Sequence, residues 1–367
     1  PIAPVQDGLQ TIGGRVYMTN ITLTGRPYTV VIDTGSSDTW VASSAFTCLS
    51  QFARTLLPQS AYRFGSLYNL TESPHWDPIE GYTFQVAYTD GEFLNGELGM
   101  EELQIGGLTV TQVIGVVEQG WWVGDGISSG LLGLAYSSLA RNVHELNYTS
   151  VITNLFATRA VLPIFSLALT RPTRIAPRAG GLLAIGGIPT IPLQSDFVTV
   201  PIKPKISNTY AFYAIQVQGF IVMPASTPGS TTAPRGWKLN YSRAPVETII
   251  DSGTTLMYFP DLVMEYIASA FVPAAAYSSQ TGLYMVNCGA AAPRIGVIIG
   301  GRTFWVDTRD LINNETVDGR VSTMGTCVMS VQKVGGGNPV LGDAFLKNVV
   351  AVFDLGRNEM GFAQRVY

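Results

Sequence analysis

Histidine is almost missing from this chain. Its only two, His75 and His144, lie far apart and in no metal-ligand spacing, so the histidine-based metal hydrolases fall away and no metal is expected. Cysteine is scarce too: three residues allow at most one internal disulfide and one odd thiol, and no histidine stands near Cys48 in the sequence to activate it. Charged residues make up only 13%, with a net charge of −4, so there is no basic footprint for nucleic acid. Glycine-rich stretches such as Gly335-Gly336-Gly337 lack the Lys-[Ser/Thr] ending of a phosphate loop. The longest uncharged run, Tyr266 to Pro293, is broken by two Pro, two Gly, Gln280 and Asn287, so no membrane partner is expected. No signal peptide opens the chain. It starts at Pro1 with a polar, mixed segment, as a precursor trimmed to its mature form, or any shortened chain, would.

What is present is apolar and turn-rich. In 367 residues, 46% are hydrophobic, and 39 Gly and 21 Pro imply many short strands joined by turns. The length allows two or three domain-sized units. An internal echo sets the organisation. Tyr-Thr-Val-Val-Ile-Asp-Thr-Gly-Ser-Ser (28–37) matches Val-Glu-Thr-Ile-Ile-Asp-Ser-Gly-Thr-Thr (246–255), each an apolar run ending in Asp-[Thr/Ser]-Gly-[Ser/Thr]. A second pair, Leu-Leu-Gly-Leu-Ala-Tyr (131–136) and Val-Leu-Gly-Asp-Ala-Phe (340–345), follows each; Gly133 comes 100 residues after Asp33 and Gly342 comes 91 after Asp251. This reads as a duplicated lobe, with 1–190 and 191–367 as the two halves. Strands are expected at Val16–Thr24, Tyr28–Ile32, Tyr82–Tyr88, Gly99–Ile105 and Leu108–Val117, and helices at Thr149–Thr158 and Asp261–Phe271, the latter with Asp261 capping its first turn. Thr227–Arg235 reads as an exposed loop.

Each echoed turn sets a carboxylate just past a buried strand, where Gly35 and Gly253 let another backbone approach closely. If the halves pack about a pseudo-twofold axis, Asp33 and Asp251 share one site. Two carboxylates about 3 Å apart cannot both ionise cheaply, so one keeps a proton near neutral or mildly acid pH. Such a pair is acid and base at once: the ionised member takes a proton from a bound water and the protonated member polarises a carbonyl. Thr34 and Ser252 are placed to hydrogen-bond across the axis, and Ser36 and Thr254 to donate to the outer carboxylate oxygens.

These stretches resemble the pepsin-like aspartic proteases, and the likeness covers nearly the whole chain, most closely the fungal type. Val-Ile-Asp-Thr-Gly-Ser-Ser-Asp-Thr-Trp-Val (31–41) is close to the family pattern, Trp40 included, and Ile-Ile-Asp-Ser-Gly-Thr-Thr (249–255) keeps a hydroxyl where the family more often has Thr. Val-Phe-Asp-Leu-Gly-Arg-Asn-Glu-Met-Gly-Phe-Ala (352–363) resembles the closing strands. The resemblance implies a mainly β, bilobal fold with a central cleft and a flap hairpin. It implies a secreted, monomeric endopeptidase made as a zymogen, with an acid optimum, no cofactor, peptide or protein substrates, and sensitivity to pepstatin-type inhibitors. Phe84 to Gly99 fits the flap, with Tyr88 reaching the Trp40 indole and Asp90 hydrogen-bonding substrate; Thr89 stands where the family has Gly, and a β-branched residue there restricts φ. Gly35, Gly253 and Thr255 are expected to face substrate with Tyr88, Thr89 and Asp90, and the cleft wall to include Val31, Leu131 and Ile249 or their neighbours. Cys288 and Cys327 resemble the family's second-lobe disulfide, with loop closure contributing about 3–4 kcal/mol, and Cys48 is expected as a buried thiol. Five sequons, at Asn20, Asn69, Asn147, Asn240 and Asn314, fit a secreted glycoprotein. The rival reading is an inactive binding or inhibitor scaffold. Such relatives lose an Asp, an adjoining Gly or the flap tyrosine, and this chain keeps all of them.

Overall fold

The computed structural model describes residues 4–58, 61–140, 143–204, 208–225, 239–241, 245–313 and 325–366, with backbone alone at 143–144 and 239–241. The loop 227–235 and Asn314 lie outside them, as do the side chains of His144 and Asn240.

Strands dominate. Arg26–Asp33 carries β-branched residues whose buried members, Val30 and Ile32, point into one core. It runs parallel to Gly130–Gly133, with Asp33 opposite Gly133, and the chain then returns as Trp40–Cys48 on that strand's other side, Trp40 opposite Leu131. The second half repeats the arrangement. Val246–Ile250 pairs in parallel with Val340–Leu341, which pairs antiparallel with Met257–Phe259. The echo in sequence is thus an echo in topology: a strand ending in Gly threads between the two arms that hold each Asp turn. Gly is required there. A Cβ on Gly133 would sit 2.5 Å from the Ser37 carbonyl carbon, and one on Gly342 would collide with the carbonyls of Thr254 and Leu256.

One antiparallel array joins the halves. Val198–Pro201, Glu359–Gln364, Val349–Asp354, Ile164–Leu169, Ala179–Ile185 and Val5–Ile12 lie side by side in that order. Val349–Asp354, near the end of the chain, therefore pairs with Ile164–Leu169 of the first half, and Glu359–Gln364 lies between it and Val198–Pro201. Phe165 stacks on Phe353 at 4.4 Å, and Tyr213 packs against Phe353 and donates to the Leu134 carbonyl at 2.6 Å. All three rings are fully buried, each stabilising by about 1.5–3 kcal/mol. Together with the paired Asp turns, this is the mainly β, two-lobed pepsin-like fold.

The expected strands are present, several of them longer: Asp77–Ala87, Phe93–Ile105 and Leu108–Trp121 form one meander. Helix Val151–Ala157 is shorter than expected. Helix Asp261–Ser269 corrects the cap: Pro260 is the N-cap, with no side-chain bond, and Asp261 is the first helical residue, because proline's fixed φ already sets the entry. There Asp261 complements the dipole instead. Cys288 and Cys327 are bonded, and Cys48 is a buried free thiol. Asn20 and Asn147 are exposed and Asn69 is half-buried. No described helix is long and apolar enough to cross a membrane.

Candidate active site

The turn after Arg26–Asp33 curls its own donors onto its carboxylate. The Gly35 N–H donates to Asp33 Oδ1 at 2.7 Å and Ser36 Oγ to Asp33 Oδ2 at 2.5 Å. The second turn does the same: the Gly253 N–H reaches Asp251 Oδ1 at 2.8 Å and Thr254 Oγ1 reaches Asp251 Oδ2 at 2.5 Å. The turns are locked to each other. Thr34 Oγ1 donates to the Ile250 carbonyl (3.1 Å) and accepts from the Ser252 N–H (2.9 Å), while Ser252 Oγ donates to the Ile32 carbonyl (2.9 Å) and accepts from the Thr34 N–H (3.2 Å). Both hydroxyls are buried, so the loss of either strands backbone groups away from water, at about 1–3 kcal/mol per orphaned group.

The two glycines do something other than expected. A Cβ on Gly35 would lie 2.7 Å from the Asp251 carboxyl carbon and from both its oxygens, and one on Gly253 would lie 2.6 Å from the Asp33 carboxyl carbon. What approaches each glycine is the opposing carboxyl group, not a second backbone. Each acid packs against the other's glycine, which brings the two acids together. Burial, first, and then the charge of Asp251 lift Asp33 well above the ordinary carboxylate range; a hydrogen bond with Asp251 adds to this, and the Ser36 and Gly35 bonds oppose it only in part.

Over this pair lies the hairpin of Asp77–Ala87 and Phe93–Ile105, closed at Ala87 opposite Phe93. At its tip the Tyr88 N–H donates to the Glu92 carbonyl at 2.8 Å and Glu92 N–H to Asp90 Oδ1 at 3.1 Å. The Trp40 indole N–H donates to Tyr88 Oη at 2.8 Å, and Trp122 packs edge-on against both rings. Thr89 is exposed, and the left-handed residue of the tip is Gly91 (φ 94°), so the branched side chain meets no backbone strain. Thr255 Oγ1 donates to the Arg15 carbonyl at 2.7 Å.

A cavity of about 230 Å³ runs between the hairpin and Asp33; Val31, Asp33, Tyr88, Asp90, Leu131 and Gly253 line it. Ile249 is not among the residues lining this cavity. Residues that sequence reasoning missed also line it: Arg15, Arg63, Glu92, Trp122 and Asp125. Glu92 is buried, its Oε1 accepts from the Val123 N–H at 2.7 Å, and burial, then Asp90, push it up to about 8. Asp343, next to the threading Gly342, is buried with no partner at either oxygen among the described residues; burial raises it well above its usual range against the pull of Lys347, and Asp251 and Asp33 raise it further. One serine-hydrolase spelling, Gly126-Ile127-Ser128-Ser129-Gly130, does occur in the chain, but Ser128 is buried and its hydroxyl donates to Asp125 Oδ2 at 2.8 Å, holding a turn. Among the described residues no group of three or more His, Cys, Asp or Glu is arranged to hold a metal.

The sequence model of the eukaryotic aspartyl protease family matches residues 16–365. A protein of Aspergillus fumigatus described as a "probable aspartic-type endopeptidase" is 37% identical over 361 residues, 95% of this chain and 78% of that protein. An aspartic protease of Phaffia rhodozyma is 30% identical over 356 residues, 94% of this chain and 75% of that protein. Penicillopepsin-1 of Penicillium janthinellum is 27% identical over 357 residues, 96% of each. Both Asp turns, both threading glycines and the hairpin fall inside the matched span, and this chain belongs to the eukaryotic aspartyl protease family as an aspartic-type endopeptidase.

Proposed function

We propose that Asp33 and Asp251 are the catalytic residues of this endopeptidase and hold one proton between them. The observation that carries the reading is the mutual packing of each carboxyl group against the other's glycine. Asp33, the deeper of the two, keeps the shared proton and gives it to the carbonyl oxygen of the scissile bond. Asp251 takes a proton from the bound water as its oxygen attacks the carbonyl carbon. Collapse of the diol then breaks the C–N bond and returns a proton to the leaving nitrogen. No covalent intermediate forms. Ser36 and Thr254 hold the outer oxygens, and Thr34 and Ser252 keep the turns in register. Tyr88, Thr89, Asp90, Gly35, Gly253 and Thr255 face the peptide. Val31, Leu131 and Trp122 make the cavity wall apolar near the acids, so hydrophobic residues are favoured beside the cleaved bond. The lobes divide as 1–190 and 191–367; the enzyme is a secreted monomer released from a zymogen, glycosylated at its accessible sequons, with an acid optimum.

Cleavage of a diverse peptide mixture at several acid pH values tests this. Cuts should fall between hydrophobic residues, and a pepstatin-type inhibitor, which mimics the tetrahedral intermediate, should stop them all. Intact peptides, or cutting that the inhibitor leaves untouched, would count against the pair. The glycines give a second test. Gly35→Ala drives a methyl group into the Asp251 carboxyl, and a displacement of about 1 Å costs on the order of 10²-fold in kcat. Wild-type kcat in Gly35→Ala would mean that the acids do not need to touch.

A further inference from the structure

The segment after Trp40–Cys48 folds back beside the hairpin rather than leaving it. Its base is tied down: Cys48 pairs with Gly120, the Leu49 N–H donates to the Gly120 carbonyl at 2.7 Å, and Leu57 N–H donates to the Cys48 carbonyl at 2.9 Å. Gly120 also pairs with Leu94 of the hairpin, so loop and hairpin grow from one strand. The loop closes on itself through an antiparallel bridge between Leu49 and Leu56, the Ser50 N–H to the Thr55 carbonyl (2.8 Å), and a hydroxyl pair between Ser50 and Thr55 (2.9 Å). Leu57 packs its base on the core, but nearer the tip Phe52 is 89% and Leu56 73% exposed, so apolar burial does not hold the tip. Two contacts reach the hairpin instead. The Arg54 guanidinium lies 3.0 Å over the ring of Phe93, the residue that closes the hairpin, and Arg54 takes the left-handed backbone (φ 55°). The Gln51 amide nitrogen sits 2.7 Å from where a Cβ would stand on Gly91 at the tip.

We propose that this loop braces the hairpin over the cleft, with Arg54 as a positioning residue for substrate binding that acts through Phe93. The inference rests on reading the hairpin as the flap. Glu92, bonded to the Val123 N–H, holds the same tip from the cleft side. A tip held from both sides is already near its substrate-bound position, so less order is lost on binding. The brace therefore bears on KM rather than on the chemistry at the acids. A non-glycine residue at left-handed φ is uncommon and costs free energy unless its neighbours hold it there. At this position the turn holds it, the Arg54 N–H donating to the Ser50 carbonyl at 3.2 Å, and that turn aims the guanidinium at Phe93.

The test is Arg54→Asn, which keeps a residue tolerant of left-handed backbone and removes the cation, with Arg54→Lys as the conservative variant. For a hydrophobic quenched peptide at acid pH, KM should rise by about two- to fivefold, the range of one cation–π contact at an exposed site, with kcat within about twofold. Arg54→Lys should recover part of that loss. Hydrogen exchange should quicken at residues 84–95 and within the loop 49–57, and stay unchanged elsewhere. Unchanged KM and exchange in Arg54→Asn overturn the brace, and so does a parallel fall in kcat and Tm, which marks a merely structural residue. Tyr88→Ala separates the two readings. If it also leaves KM and kcat untouched, the flap reading itself fails; if it lowers activity while Arg54→Asn does nothing, only the brace fails.

Discussion

Asp33→Asn and Asp251→Asn each remove at least about 10²-fold of kcat, since each deletes an acid–base group worth about 10²–10⁴-fold that its partner cannot replace. The fold survives both changes. Asparagine keeps an oxygen for the Gly35 or Gly253 N–H and adds no volume against the opposite glycine. At Asp33 the neutral amide also relieves a buried carboxyl that burial and Asp251 already disfavour as an anion, so the Tm of Asp33→Asn at neutral pH should match or exceed the wild type's. Kinetics and a thermal melt on the same preparations check both halves. Turnover within tenfold of wild type in either variant contradicts the assignment of roles.

Stability should fall steeply as pH rises from mildly acid to neutral. Three buried acids, Asp33, Glu92 and Asp343, have folded-state values raised above their unfolded ones. Between its two values such a group carries a proton when folded and none when unfolded. Unfolding then releases a proton, and raising pH favours the unfolded chain. For Glu92 that window runs from its ordinary value of 4.5 to about 8. Across it one group costs about 1.4 kcal/mol per pH unit. Below the window the contribution is fully present; above it, lost. Tm measured from pH 4.5 to 7.5 should therefore drop by about 5 °C or more, since even one group's share over three pH units is about 4 kcal/mol, and each kcal/mol moves Tm by about 2–4 °C in domains of 150–250 residues and by somewhat less in a chain this long. Glu92→Gln, which keeps an acceptor for the Val123 N–H, should flatten the slope by one group's share. A Tm that holds level or climbs over that range contradicts the buried-acid account.

The repeated pattern made most of the fold legible. An apolar run ending in Asp-[Thr/Ser]-Gly, followed about a hundred residues later by an apolar pair and Gly, is the linear trace of an arm and the strand that threads it. The cross-axis hydroxyls were legible for the same reason, because short polar side chains beside a carboxylate in a tight turn have few other targets. The job of Gly35 and Gly253 was not. Alternation and turn chemistry report on a strand's own neighbours, and the group filling each glycine's space comes from the other end of the chain. Glu92 and Asp343 were hidden too: nothing local distinguishes a buried acid from a solvated one, and the groups each meets, the Val123 N–H at Glu92 and the Thr254 carbonyl at the Asp343 backbone, lie far off in sequence.

A crystal structure of the enzyme with a pepstatin-type inhibitor tests the shared-water site most directly. The inhibitor's tetrahedral hydroxyl takes the place of the attacking water. It should lie about 2.5–3.0 Å from an oxygen of Asp33 and from an oxygen of Asp251 at once. A hydroxyl bonded to one of the two while the other carboxyl turns away, or an inhibitor seated elsewhere on the molecule, would contradict it.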